Sequence, residues 1–110
     1  MRGAIVIDRY QTAEMAAIFS DVAKFSRYLE IELLVVDALA HVGVAPSDDA
    51  KKCRTKAPVV DESVVKEIGD RELITNHDVA AFVDVIQGRI ADPVAKWIHY
   101  GLTKIGRAHV

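Results

Sequence analysis

Hydrophobic residues recur every three or four positions along most of the chain, which is the spacing of one face of an α-helix. Neither glycine nor proline occurs between residues 4 and 42. We predict a first helical turn from Thr12, and a longer helix that begins at Ser20 or Asp21 and ends before Gly43. The apolar positions of the longer helix form two adjacent stripes. The first stripe contains Val22, Phe25, Leu29, Leu33, Val36 and Ala40, and the second contains Ile31, Leu34, Val35, Ala38 and Val42.

A helix that is apolar around most of its circumference needs partners on more than one side. The other predicted helices are short, so we expect some partners of this helix to lie outside the chain. Only a narrow polar band that includes Lys24, Glu30 and His41 remains for solvent.

Four shorter helices are predicted after Gly43 from their start and stop signals. The first runs from Asp48 to about Lys56, and the second is capped by Asp61 and runs to about Leu73. The third follows a polar turn at residues 75–78 and ends at Ile90, and the fourth starts at Asp92-Pro93 and stops at Gly101. The predicted inward positions are Val64, Val65 and Ile68 on the second helix, and Val79, Phe82, Val83 and Ile86 on the third. No alternating strand pattern of useful length is present, so the predicted fold class is all-α.

Composition narrows the class of protein. The chain has 110 residues, enough for one domain, and 51% of them are hydrophobic, which excludes a disordered chain. Its 14 basic and 16 acidic residues give a net charge of −2, which argues against nucleic-acid binding. The single cysteine, Cys53, excludes a disulfide scaffold and a cysteine zinc cluster. The apolar run at residues 4–7 is too short for a membrane span, and we expect a cytoplasmic protein.

Few residues carry a chemical signal by themselves. His77 and Asp78 stand at a predicted helix start, where backbone N–H groups favour an anion and an imidazole could bind phosphate or move a proton. The alternative is that Asn76 or Asp78 only caps the helix and His77 is a surface residue, and on these residues alone the alternative is favoured. We expect His99 to be a partly buried, hydrogen-bonded histidine. No histidine pair has the spacing of metal ligands, so no metal site is predicted.

Several segments of the chain form a pattern when they are taken together. The segments are Asp8-Arg9-Tyr10 with Glu14-Met15-Ala16; Phe25 with Leu29-Glu30 and Glu32; Gly43-Val44 with Pro46; residues 75–82, Thr-Asn-His-Asp-Val-Ala-Ala-Phe; and residues 96–103, Lys-Trp-Ile-His-Tyr-Gly-Leu-Thr. Together they resemble adenylosuccinate lyases, which belong to the fumarase and aspartase superfamily. The resemblance covers about residues 5 to 103, and the order and spacing of its segments agree with that family.

The end of the chain departs from that family. After Gly-Leu-Thr the family continues with Ser, Ser or Thr, and Asp, whereas this chain continues with Lys104 and residues 105–110, Ile-Gly-Arg-Ala-His-Val. These last residues resemble the translation of a sequencing adapter. We therefore expect residues 1–103 to be the N-terminal helical domain of the fumarase/aspartase-like fold, without its central helical bundle, and residues 104–110 to be a non-native tail.

The resemblance implies a reaction and roles for particular residues. Such enzymes eliminate fumarate from adenylosuccinate, giving AMP, and from the carboxamide ribotide SAICAR, giving AICAR, without a cofactor or metal. Arg9 and Tyr10 would bind the nucleotide, and Asn76, His77 and Asp78 would form a second substrate-binding patch. The implied catalytic candidates are His77, for phosphate or proton handling, and then His99. Thr103 would begin the patch that holds the succinyl carboxylate, although Lys104 replaces the expected serine.

The resemblance also implies that the principal catalytic serine and the general acid lie in later sequence, and that active sites form between subunits of a homotetramer. We therefore expect this chain alone to be inactive. Two alternatives stay open: a non-catalytic helical binding module, and a related lyase with a different substrate. An exposed second stripe on the long helix would fit a free module, whereas a lyase would cover that stripe.

Overall fold

A computed structural model describes the backbone of residues 2–100 and the side chains of residues 12–100. The helices are α1 (Arg2–His41), α2 (Ser47–Lys56), α3 (Glu62–Thr75) and α4 (Asp78–Ile90), followed by a short 3-10 helix (Pro93–Trp97). This range contains no strand, so the all-α prediction is confirmed. The predicted positions of α2, α3 and α4 also hold to within two residues.

Helix α1 is continuous over 40 residues, so the predicted break at Ser20 or Asp21 is wrong. A capping side chain begins a helix only where the preceding backbone leaves the helical conformation. Nothing between residues 4 and 42 forces that departure. The helix ends at His41, before Gly43 as predicted, and Gly43 has a φ of 82°. None of the helices in residues 2–100 is both long enough and apolar enough to cross a membrane.

The first stripe of α1 forms one wall of the hydrophobic core. Four of its residues are buried: Phe25, Leu29, Leu33 and Val36. The opposite wall comes from α2, α3, α4 and the segment after them, through residues that include Cys53, Val64, Ile68, Phe82, Ile86 and Ile98. The Phe82 ring stacks on Phe25 at a centroid distance of 5.6 Å and meets Tyr28 edge-on at 5.8 Å. The first stripe therefore has the buried role that its spacing predicts.

The second stripe of α1 is mostly uncovered in this chain. Ile31 is 51% exposed, Leu34 54% and Val42 69%, while Val35 is half-buried. Towards the start of α1, Phe19 is also 63% exposed. One side of α1 thus carries an apolar surface that no described residue covers.

The inward face of α4 differs in part from its prediction. Phe82 and Ile86 are buried, but Val79 and Val83 are only half-buried, and Val85 is buried instead. Helix α4 packs against α3 as well as against the 3-10 helix, so its buried face is rotated away from residues 79 and 83. Val79 and Val83 therefore line a groove on the surface of α4, which is described below with the candidate site.

The last predicted helix is much shorter than expected. Asp92 starts it as predicted, accepting a hydrogen bond from the Val94 N–H at 3.0 Å. Helical geometry ends at Trp97, and Ile98 is extended, so the predicted continuation through Tyr100 is wrong. The Gln87 side-chain amide donates to the carbonyls of Ala95 at 3.2 Å and Ile98 at 3.4 Å. The carbonyls of Ala95 and Ile98 at this helix end therefore have a side-chain partner.

Three ion pairs join α2 to its neighbours, and one of them links Arg54 Nη1 to Glu30 Oε1 of α1 at 3.6 Å. Lys56 Nζ lies 2.8 Å from Asp92 Oδ2, and Arg54 lies 2.6 Å from Asp37 on α1. The hydrogen bond from Lys56, together with the bond from the Val94 N–H, lowers the pKa of Asp92. Burial of the Cys53 thiol raises its pKa. Helix α2 therefore joins α1 to the 3-10 helix through both apolar and charged contacts.

Candidate functional site

The turn between α3 and α4 uses two adjacent residues in different conformations. Asn76 ends α3 in the left-handed region, with a φ of 56°, and its N–H donates to the Glu72 carbonyl at 2.8 Å. His77 is extended and caps α4, with its Nδ1 accepting a hydrogen bond from the Ala80 N–H at 3.2 Å. The expectation that Asn76 or Asp78 caps this helix is therefore wrong. Asparagine tolerates the left-handed conformation well, which suits Asn76 to the end of α3 instead.

The capping bond determines which ring nitrogen of His77 carries hydrogen. Because Nδ1 accepts from Ala80, the hydrogen of the neutral ring lies on Nε2. Asp78, the first residue of α4, accepts from the Val79 N–H at 2.8 Å and lies 3.7 Å from Lys24 of α1. Two backbone N–H groups at this helix start are thus engaged by the chain itself. An anion at this turn would therefore need donors other than those two groups.

His99 is held by a buried carboxylate of α1. Its backbone N–H donates to Glu32 Oε1 at 2.8 Å, and its ring Nδ1 lies 2.9 Å from Glu32 Oε2. Glu32 is only 4% exposed, whereas the His99 side chain is 35% exposed. The φ of His99 is 69°, a left-handed conformation that costs a residue with a side chain about 1–2 kcal/mol. The prediction of a partly buried, hydrogen-bonded histidine is confirmed.

The two histidines line one groove along α4, which we call the histidine groove. Its volume is about 360 Å³, and it is lined by His77, Val79, Ala80, Val83, Asp84 and His99. A neighbouring apolar pocket of about 200 Å³ lies between α1 and α4, lined by Tyr28, Ile31, Glu32, Val79, Phe82 and His99. Val79 and His99 border both spaces. The structure therefore brings together two predicted site residues that are far apart in the sequence.

Other predicted site residues are not brought into this groove. Asn76 and Asp78 flank His77 in the sequence, but they do not line the histidine groove. Arg9 and Tyr10 belong to the first part of α1, where the side chains are outside the described residues. Thr103 and the expected tail at residues 104–110 also lie outside the described residues.

Glu32 is the residue of the site to which the sequence analysis gave no role. It was one of the residues that carry the family resemblance. It stands beside Leu33 on a strongly apolar helix, and a carboxylate among buried positions is rare unless it has a partner. That anomaly is a signal that could have singled it out.

Comparisons with known proteins give one clear similarity. No protein-family model and no solved structure matches the chain. Curated proteins do match over 98 residues, which are 89% of this chain and 22% of the length of each relative. The chain is thus homologous to a part of a much longer lyase. These relatives are adenylosuccinate lyases: those of Aquifex aeolicus and Bacillus subtilis are each 40% identical to the chain, and that of Staphylococcus saprophyticus is 38% identical. The predicted resemblance is confirmed.

Proposed function

We propose that this chain is part of an adenylosuccinate lyase that acts in purine nucleotide biosynthesis. The whole enzyme would eliminate fumarate from adenylosuccinate, giving AMP, and from SAICAR, giving AICAR. The observation that carries this proposal is the 40% identity to adenylosuccinate lyases over 98 residues. The histidine groove supports it, because both catalytic candidates line one surface.

The elimination requires a base that removes a proton from the carbon beside a carboxylate, and an acid that protonates the departing nitrogen. General acid and base groups each contribute about 10²–10⁴-fold, and fixed donors around the developing charge contribute more. In our proposal His77 offers its Nε2–H to a phosphate or to a proton-transfer step, and His99 contacts the substrate across the groove. No cofactor or metal has a role in this scheme.

The substrate-binding roles of five residues complete the proposal. Arg9 would bind phosphate oxygens through its planar guanidinium, and Tyr10 would stack on the base. Asn76 and Asp78 would contact the substrate beside His77. Thr103 would contact the succinyl carboxylate.

In the whole enzyme, other segments and subunits would cover the exposed surfaces of this chain. We propose that the enzyme is a cytoplasmic homotetramer in which other segments and neighbouring subunits supply the principal base and acid and enclose the histidine groove. The uncovered second stripe of α1 leaves a surface on which such partners could pack, but in a chain without those partners it is exposed in a free helical module as well, so it does not decide between the two. The chain alone would then have no useful lyase activity.

A chimeric enzyme tests the proposal. The matching 98 residues of the Bacillus subtilis adenylosuccinate lyase are replaced by those of this chain, and fumarate release from adenylosuccinate is measured. We expect the chimera to turn over, and His99→Asn in the chimera to lower kcat/KM. The matched control is His41→Asn, because His41 is an exposed residue at the end of α1 and outside the groove.

Two results would contradict the proposal. A chimera that folds and assembles like the parent enzyme but releases no fumarate would favour a binding module or a lyase with another substrate. Turnover by the purified chain alone, free of host enzyme, would show that the chain does not depend on other segments for catalysis.

A further inference from the structure

The Glu32 carboxylate is buried in a position where it needs strong partners. Removing a carboxylate from water is unfavourable unless hydrogen bonds replace those of the solvent. Both of its oxygens meet one residue, His99, which is 67 positions away in the sequence. One oxygen accepts from the backbone N–H and the other meets the ring. The direction of the imidazole is therefore fixed relative to its own backbone.

The backbone of His99 gives a second indication. A histidine with a φ of 69° persists only where the surrounding structure determines it, and such residues concentrate at functional sites. Here the Glu32 bond to the His99 N–H holds that conformation. The same residue borders the histidine groove and the adjacent apolar pocket.

The contact also determines the tautomer of the ring. A carboxylate accepts hydrogen bonds, so the nitrogen facing it carries hydrogen, and the hydrogen of neutral His99 lies on Nδ1. His77 has the opposite arrangement, because its Nδ1 accepts from Ala80. The groove thus contains two histidines of unlike tautomer: Nε2 is a hydrogen-bond donor in His77 and an acceptor in His99.

We propose that Glu32 is a positioning residue that fixes His99 as its Nδ1–H tautomer and holds its ring at the histidine groove. The effect of Glu32 on turnover rests on the proposed lyase function. The tautomer of His99 does not depend on that function. Glu32 would not touch the substrate. It would act only by fixing the direction of the His99 ring and its tautomer, in which Nδ1 carries the hydrogen and Nε2 does not.

The tautomer is measured on the full 110-residue chain. Long-range proton–nitrogen NMR correlation spectra of the nitrogen-labelled chain, recorded in mildly alkaline buffer, distinguish Nδ1–H from Nε2–H histidine rings. The signals that disappear in His99→Asn are those of His99. We expect Nδ1–H for His99 and Nε2–H for His77. In Glu32→Gln the amide oxygen still accepts from the His99 backbone, while the amide nitrogen donates to Nδ1. We therefore expect His99 to change to Nε2–H in that variant.

The matched control is Glu30→Gln, which makes the same chemical change on the same helix at an exposed side chain. It should leave the tautomer of His99 unchanged. An Nε2–H tautomer of His99 in the unmodified chain would overturn the proposal, even if Glu32→Gln did not fold. An unchanged His99 tautomer in a folded Glu32→Gln chain would overturn it as well.

The chimera measures the consequence for catalysis. At metal sites, loss of the partner that orients a histidine ligand lowers affinity or activity by about 10- to 100-fold, and we take the same order of magnitude for His99. We expect Glu32→Gln in the chimera to lower kcat by that factor with a smaller change in KM, and Glu30→Gln to leave both constants unchanged. An unmodified chimera without turnover would count against the lyase function, whereas an active chimera that is insensitive to Glu32→Gln would count against positioning.

Discussion

Replacing Phe82 with alanine should destabilise the chain strongly, because its buried ring joins α4 to two aromatic rings of α1. The side chain is 1% exposed and contacts the rings of both Phe25 and Tyr28. Complete burial of a phenylalanine contributes about 1.5–3 kcal/mol, and each aromatic pair adds about 0.5–1.5 kcal/mol. These contributions agree with the range of about 3–5 kcal/mol measured for phenylalanine-to-alanine changes in protein cores.

The same substitution at Phe19 is the matched control. Phe19 is on α1 and is 63% exposed, so Phe19→Ala should change the free energy of unfolding by less than about 0.5 kcal/mol. Urea unfolding followed by circular dichroism measures both variants, and Phe82→Leu gives a milder change if Phe82→Ala is unfolded at the start. A loss below about 1 kcal/mol for Phe82→Ala would refute the core position of Phe82. An equally large loss for Phe19→Ala would show that copies of the chain cover this part of α1 in solution.

Three further predictions concern single side chains. His77→Ala should lower the free energy of unfolding by roughly 0.5–1 kcal/mol through loss of the helix cap, and His77→Asn should restore it in the same urea titration. The pKa of Asp92 is lowered in the folded state, so its stabilising effect is present above the unfolded value of about 3.9 and is lost as the pH falls through the folded value. Asp92→Asn should therefore flatten the decline of the urea midpoint below about pH 5, and an unchanged decline would contradict this account. Burial raises the pKa of the Cys53 thiol, so a thiol reagent should label it much more slowly in the folded chain than in denaturant, and equal rates would disprove its burial.

The parts of the fold that sequence predicted well depend on local spacing. The first stripe of α1 follows the helical period, and four of its members are buried as expected. Gly43 and Asp92 also act where predicted, because a left-handed helix end and a cap before proline have strong local signals. The uncovered second stripe was anticipated as well, since one side of a long apolar helix cannot be covered by a few short ones.

The errors arose where distant contacts or uncommon residue types decide the structure. The helix predicted through Tyr100 ends at Trp97, where Gln87 binds the carbonyls of Ala95 and Ile98 and Glu32 binds the His99 N–H, and no local pattern links positions 32 and 99, which are 67 residues apart. His77 was missed as a cap because serine, threonine, asparagine and aspartate dominate that position. A break was predicted at Ser20 because capping residue types also occur on exposed faces inside helices.

Part of the candidate site was therefore predictable. The choice of His77 and His99 came from the family resemblance, and the structure brings both to one groove. The contribution of Glu32 depends on how α1 packs against the segment after α4. Sequence spacing carries no information about that contact.

The length and position of α1 also have a consequence for synthesis of the protein. Helix α1 leaves the ribosome before the helices that cover its first stripe, which begin only at Ser47. At about 5–20 residues per second, the 3-10 helix follows roughly 3–10 seconds after the end of α1. During that interval the first stripe of α1 is only partly covered. Because exposed apolar surface promotes aggregation, the order of the helices along the chain adds a risk during synthesis that the finished fold no longer carries.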